Sequence, residues 1–339
     1  MIPRLLPKDF LENPTQIPIL DVRSPGEFAQ GHIVGAINLP LFSDEERAII
    51  GTLYKKNGKE SAFLRGLDLV GPKLSHFVKT AAKISPTRKL RIHCWRGGMR
   101  SESMAMLMKY SGFETQLLQG GYKGYRNFVL ESFFEPTDIL ILGGKTGSGK
   151  TEILKHLVDL GEQIIDLEGL ANHKGSAFGH ILQAPQPTIE QFENNLFAYL
   201  GKLDKSKPIW VEAESRNIGM SVIPQGFWNQ MLKAPLFVVN VPDNVRVTRL
   251  ISEYAQANKE DLLACLFNIT KRLGGLETKL ATEAFEQGDL AAATKIVLFY
   301  YDKTYAHSQK KRTPTKVAQV DFEEGDDMLA MARKLLALR

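Results

Sequence analysis

Short apolar runs separated by charged or glycine-bearing turns recur along the chain, each about the length of one buried strand. Ile17-Pro18-Ile19-Leu20-Asp21-Val22-Arg23 predicts a strand that ends in charge, and Ser24-Pro25-Gly26-Glu27 predicts a helix start with Ser24 as cap and Pro25 at the first helical position. Further strands are expected at 36–40, 90–93 and 115–118, and helices at 43–53, 76–84 and 103–110, with 55–69 left open by its two glycines. A second series begins with Asp138-Ile139-Leu140-Ile141-Leu142 and continues with strands at 163–166, 208–212 and 236–240. Strands alternating with helix-length segments predict α/β architecture with mostly parallel sheets. Helical patterns then fill 245–260, 262–273, 277–285, 292–304 and 329–339. The expected organisation is a first domain over 1–135, a second α/β domain over 136–245, and a largely helical C-terminal region over 246–339 packed on the second domain.

The 339 residues exceed the size at which one core stops growing, so more than one domain is expected. Two cysteines exclude a disulfide scaffold and a four-cysteine zinc site. The N-terminal stretch lacks the apolar core of a secretory signal, and no apolar run approaches the roughly 18 residues of a membrane span, so a cytoplasmic, reduced setting is expected. A net charge of +5 suits a phosphate-bearing or nucleic-acid partner without requiring one.

Two segments carry candidate chemistry. Cys94-Trp95-Arg96-Gly97-Gly98-Met99-Arg100-Ser101 follows a strand and leads into a helix. A thiol beside Arg96 and Arg100, with Gly97, Gly98 and Ser101 at a helix start, suits an anion pocket with Cys94 as its nucleophile. Sulfur or selenium transfer, a cysteine phosphatase and a merely buried cysteine all fit that loop. The second segment, Gly144-Lys145-Thr146-Gly147-Ser148-Gly149-Lys150-Thr151, matches the phosphate-loop pattern in full, between an apolar strand and a helix. Lys150 is expected on the terminal phosphates and Thr151 on a magnesium ion where one binds, with Gly144, Gly147, Ser148 and Gly149 forming the nest. Asp166 and Glu212 stand at strand ends with Glu214 nearby. His173, Lys174 and Arg216 are candidates for charge stabilisation. Ala213 separates Glu212 from Glu214, so no third acid is available within that run.

The motifs Leu20-Asp21-Val22-Arg23-Ser24-Pro25-Gly26-Glu27-Phe28 and Gly31-His32-Ile33-Val34-Gly35-Ala36-Ile37-Asn38-Leu39-Pro40, with the Cys94 loop, resemble a rhodanese domain. Joined to a phosphate-loop domain that contains 166–176, Gln186-Pro187-Thr188 and 212–216, the chain resembles the tRNA 2-selenouridine synthases over nearly its whole length. That resemblance implies a rhodanese-like domain followed by a phosphate-loop NTPase-like α/β domain. It implies an enzyme that converts wobble 2-thiouridine to 2-selenouridine through an S-geranyl intermediate. The substrates would be tRNA, geranyl diphosphate and selenophosphate, the last supplied by its synthetase, with no tightly bound cofactor. It assigns Cys94 the catalytic role, and Asp21 and Arg23 the task of holding the domain.

An apolar groove for the geranyl chain would draw on Phe178, Phe192, Phe197, Trp210 or Phe227. RNA contact is expected from Arg246, Arg249, Lys271, Arg272, Lys310, Lys311 and Arg312, with Lys55-Lys56 as a further cluster and Tyr301, Tyr305 and His307 as stacking candidates. A monomer is the favoured state. Two competing readings remain: a sulfurtransferase fused to an NTP-dependent kinase or ligase, and a non-enzymatic nucleotide-gated tRNA scaffold.

Overall fold

The computed structural model describes residues 2–12, 16–309 and 312–339, which divide into two compact units, Met1–Ser132 and Phe133–Arg339.

The first unit is built on strands β1 (Arg4–Leu5), β2 (Ile19–Asp21), β3 (Ile37–Asn38), β4 (Lys89–His93) and β5 (Glu114–Leu118). They pair in the order β1-β5-β4-β2-β3, all parallel. Helices α1 (Pro7–Leu11), α2 (Pro25–Gln30), α3 (Asp44–Val70), α4 (Leu74–Ile84), α5 (Met99–Tyr110) and α6 (Gly121–Ser132) connect them. Local chemistry accounts for the starts of α2 and α3. Ser24 and Ser43 each accept from the backbone N–H three residues on, and Glu27 and Glu46 return the bond. The segment left open at 55–69 continues α3, which bends at Gly58, where φ is +85°. Leu20, Val22, Ile92, Met104, Met108 and Leu117 fill the core beneath β2 and β4.

The second unit opens with β6 (Ile139–Gly144), α7 (Lys150–Asp159), β7 (Gln163–Ile165), α8 (Leu167–Ala171), α9 (Ile189–Leu200) and β8 (Ile209–Glu212). A short antiparallel pair, β9 (Asn217–Ile218) and β10 (Ser221–Val222), precedes α10 (Gln225–Lys233) and β11 (Leu236–Asn240). Helices α11 (Asp243–Glu253), α12 (Lys259–Asn268), α13 (Thr270–Leu273), α14 (Gly275–Glu286) and α15 (Leu290–Gln309) follow, then β12 (Val317–Asp321) and α16 (Met328–Ala337). The parallel sheet runs β12-β11-β6-β8-β7. The region from 246 onward is therefore not helical throughout. Its strand β12 forms an edge of the sheet, and Met331, Ala332 and Leu335 of α16 are buried in the same core as Leu154 and Leu157 of α7. The strand escaped detection because Val317-Ala318-Gln319-Val320-Asp321 is mostly exposed, as an edge strand can be. No helix among the described residues is long and apolar enough to cross a membrane.

Beneath the sheet of the first unit, Arg23 Nε and Nη2 donate to both oxygens of Asp21 at 2.5–3.0 Å, Nη2 also donates to Gly31 O at 2.7 Å, and the guanidinium lies 3.7 Å from the Tyr122 ring centroid. Asp21 and Arg23 hold the domain in this way, both fully buried. His93 Nε2 is 3.7 Å from Asp21 Oδ2. Burial pushes the His93 pKa down to about 4, outweighing the attraction of Asp21. Between the ordinary value of 6.5 and about 4, the unfolded chain binds a proton that the folded chain excludes, so stability falls as pH falls through that window. The loss should reach about 3 kcal/mol near pH 4. Hydrogen exchange at the Lys89–His93 amides should show protection declining from pH 7 to pH 5, corrected for intrinsic rates, and His93→Gln should flatten that dependence.

Candidate functional site

In the first unit, β4 delivers Cys94 to the carboxyl end of the sheet, where the thiol is 3% exposed. Its Sγ lies 3.2 Å from Ser101 Oγ and 3.8 Å from Gly98 O, and the Ser101 hydroxyl also reaches Gly98 O at 3.0 Å. The start of α6 clamps the loop: Tyr122 N–H donates to Cys94 O at 2.8 Å and Lys123 N–H to Trp95 O at 2.9 Å. This approach requires glycine on both sides. Gly97 has φ +66° and Gly121 φ +60°, and a Cβ on Gly121 would collide with the backbone of Gly97, Cys94 and Arg96.

The two arginines of the loop are placed differently. Arg96 is exposed to solvent. Arg100 is half-buried and forks onto Glu27, Nη1 to Oε2 at 2.6 Å and Nη2 to Oε1 at 3.2 Å. Burial opposes its charge, yet the Glu27 carboxylate outweighs burial and raises its pKa. Glu27, read in the sequence only within a helix start, thus orients an arginine of the thiol loop. Its contact spans 73 positions and has no local signal.

In the second unit, β6 runs into the phosphate loop, where Gly147 and Gly149 take φ of +78° and +81°. The loop borders a cavity of about 1060 Å³ lined by Gly144, Gly147, Ser148, Gly149, Lys150 and Thr151 among others. Ser148 Oγ is buried without a hydrogen-bond partner among the described residues, and Lys150 Nζ donates to Gly144 O at 3.2 Å. Burial works against the Lys150 charge, but Glu214, Glu168 and Glu212 together raise its pKa.

Those three carboxylates approach within 4.8 Å of one another. Glu212 is fully buried, Oε1 accepts from Glu168 N–H at 3.0 Å, and Oε2 has no hydrogen-bond partner among the described residues. Burial and mutual repulsion push Glu168 and Glu212 well above the usual carboxylate range, and burial raises Glu214. The cluster is close enough to hold a metal ion. The third acid missing from the 212–214 run is Glu168, brought in from α8 because β7 lies beside β8. Asp166, the acid expected at that strand end, lines the cavity and also caps α8, its Oδ1 accepting from Gly169 N–H at 2.7 Å.

Several expected residues fall elsewhere. Lys174 lines the cavity and pairs with Glu253 at 2.7 Å. His173 is 8% exposed and does not line it; its ring sits where a Cβ on Gly179 or Gly219 would strike it. Arg216 is exposed and also absent from the lining, although Ser215 and Asn217 belong to it. Arg246 cannot meet RNA: it is fully buried, donates to Thr146 O at 2.9 Å and forks onto Asp302 at 2.6 and 3.0 Å. It buttresses the phosphate loop. Arg249 lines the cavity beside Gly149 and pairs with Glu152 at 2.5 Å. Arg312 is half-buried, and its two terminal nitrogens donate to Met231 O and Glu214 O at 3.1 Å, which uses them for chain packing. Lys271 and Arg272 are exposed, Arg272 at the cavity edge. Lys310 and Lys311 lie outside the described residues. Tyr301 and Tyr305 also line the cavity, whereas His307 is exposed. Of the five aromatics offered for an apolar groove, Phe192, Trp210 and Phe227 are buried core and Phe197 is half-buried on α9.

A thiol loop on one parallel sheet and a phosphate loop on another define a two-unit enzyme architecture for anionic substrates. Comparison with known proteins specifies it. The rhodanese-like domain family matches residues 6–128, and the family of the tRNA 2-selenouridine synthase AAA domain matches residues 137–335. A tRNA 2-selenouridine synthase of Shewanella frigidimarina is 34% identical over 90% of this chain and 92% of its own. That of Bdellovibrio bacteriovorus is 34% identical over 88% and 90%, and that of Shewanella denitrificans 36% over 87% and 89%. The chain belongs to the tRNA 2-selenouridine synthase family.

Replacing Arg246 by Ala should cost about 3 kcal/mol, because Asp302 and Thr146 O lose a buried donor. Denaturant unfolding checks the loss. The slope of log tRNA affinity against log salt should stay unchanged, whereas removal of a phosphate contact would lower it by about 1.

Proposed function

We propose that this protein converts wobble 2-thiouridine in tRNA to 2-selenouridine in two steps, one at each loop. In the first, the thiocarbonyl sulfur attacks C1 of geranyl diphosphate. The carbon–oxygen bond breaks, and diphosphate leaves with the electron pair into the phosphate loop. Lys150 Nζ and the Gly144–Gly149 backbone stabilise that leaving charge, and loss of the N3 proton leaves a neutral S-geranyl base. In the second, the selenium of selenophosphate adds at C2 and geranylthiol departs. Water then takes the phosphoryl group from selenium.

Cys94, with Arg96 and Arg100 beside it, steers or carries the selenium donor. Arg96 is the exposed arm of that pair and Arg100 the arm held by Glu27. Binding of phosphate-bearing donors at both loops agrees with the family, and membership supports the overall reaction. The observation that supports the two-step division is that one chain carries a thiol loop on one parallel sheet and a phosphate loop bordering a cavity on another.

The acid cluster also fits a magnesium ion. Glu212 Oε2 is an orphaned buried oxygen, and hard carboxylate ligands suit that ion. Glu168, Glu212, Glu214 and Thr151 would hold it, and it would supply charge neutralisation to the diphosphate. The tRNA would approach over exposed cations such as Lys271 and Arg272.

The test is nucleoside mass spectrometry on thiolated tRNA incubated with geranyl diphosphate and then selenophosphate. Cys94→Ala should accumulate S-geranyl-2-thiouridine and make no selenouridine. Lys150→Ala should lose geranylation by about a hundredfold or more, yet still process pre-geranylated tRNA. ATP or GTP hydrolysis stoichiometric with product would overturn the assignment of the cradle to a prenyl donor.

A further inference from the structure

Beside the cradle, within the second unit, lies a separate chamber of about 350 Å³. Its walls come mostly from α11, α12, α14 and α15, including Leu250, Leu266, Ala281, Phe285 and Val297, with Phe178 added from the segment between α8 and α9. Lys259 and Glu286 are its only charged lining residues among those described. The size falls within the roughly 300–1,000 Å³ usual for small-molecule sites. Thr146, Ser176, Leu250, Tyr254 and Tyr301 line both the chamber and the cradle cavity, so the two are neighbours that share these residues. Tyr301 is fixed there, its hydroxyl accepting from Ala177 N–H at 2.9 Å.

A polar cradle adjoining an apolar chamber matches a ligand with a charged head and a hydrocarbon tail. A nucleoside fits poorly in the chamber, because ribose hydroxyls and base edges would be buried against Leu, Ala, Val and Phe, and each unpaired polar group costs free energy. Hydrocarbon gains from the same burial. We propose that this chamber binds the isoprenoid tail of the diphosphate donor and that its wall residues, Ala281 and Phe285 of α14 above all, set the tail length accepted. The proposal rests on the assignment of the cradle to a prenyl diphosphate. Of the five aromatics offered by the sequence for an apolar groove, Phe178 is then the one that meets the tail, and most of the other walls come from helices after position 243, Phe285 among them.

The test measures kcat/KM for tRNA prenylation with the five-, ten- and fifteen-carbon donors dimethylallyl, geranyl and farnesyl diphosphate. Ala281→Phe shortens the chamber and should shift preference from geranyl toward dimethylallyl by about tenfold or more. Phe285→Ala lengthens it and should shift preference from geranyl toward farnesyl by a similar factor. Calorimetric binding of inorganic diphosphate, retained within about twofold, shows that the cradle is intact in each variant. Unchanged donor preference in both variants, with the wild-type chain still prenylating tRNA, overturns the tail site and leaves the two-step reaction standing. Absence of prenyl transfer from all three donors in the wild-type chain overturns the two-step reaction itself, and the tail site with it.

Discussion

Parallel pairing of β6 with β8 and of β2 with β4 is the constraint on which both sites depend. Parallel strands place all their carboxyl ends on one edge, where loops bearing unlike chemistry converge. In the first unit the register sets Asp21 opposite His93, one residue before the thiol. In the second, Leu142 stands opposite Glu212, so the phosphate loop and the buried acid emerge side by side. A one-residue slip would turn Glu212 to the other face of the sheet and take the acid away from Lys150.

Charge compensation then sorts the ionisable groups. Lys150 lies among three carboxylates whose mutual repulsion it eases, as do Arg312 near Glu214 and the Glu168 N–H on Glu212. Arginines that look like RNA contacts in a list of basic residues are largely used by the fold. Arg246 is consumed by Asp302 and Thr146, Arg312 by two backbone carbonyls, and Arg249 by Glu152. Burying a guanidinium without such partners would be prohibitive, so its burial and its partners come together. At the thiol loop Arg96 is exposed and Arg100 is held by Glu27.

Apolar surface is divided by the same logic. Trp210, Phe192 and Phe227 cover the sheet and are unavailable to a ligand. The helices of the C-terminal region instead meet around small residues such as Ala281 and Ala293 and leave a chamber between them. That region is joined to the sheet domain through Arg246 Nε donating to Thr146 O, through β12 alongside β11 and through α16 packed in one core with α7.

What the sequence determined by itself was whatever rests on adjacent residues. The capped start of α2, the alternation of strands and helices, the glycine-rich thiol loop and the phosphate loop are each written within a dozen positions. Their local geometry follows from the conformational range of glycine, from capping hydrogen bonds and from apolar run length. Tertiary structure decided what depends on distant neighbours: Glu27 on Arg100, Glu168 beside Glu212, Arg246 under the phosphate loop and the chamber between four helices. An acidic or basic side chain has the same composition whether it caps a helix, buttresses a loop or faces solvent. Only the packing of elements remote in the chain selects its partner, because burial makes an unpaired charge too costly and leaves few arrangements that satisfy it.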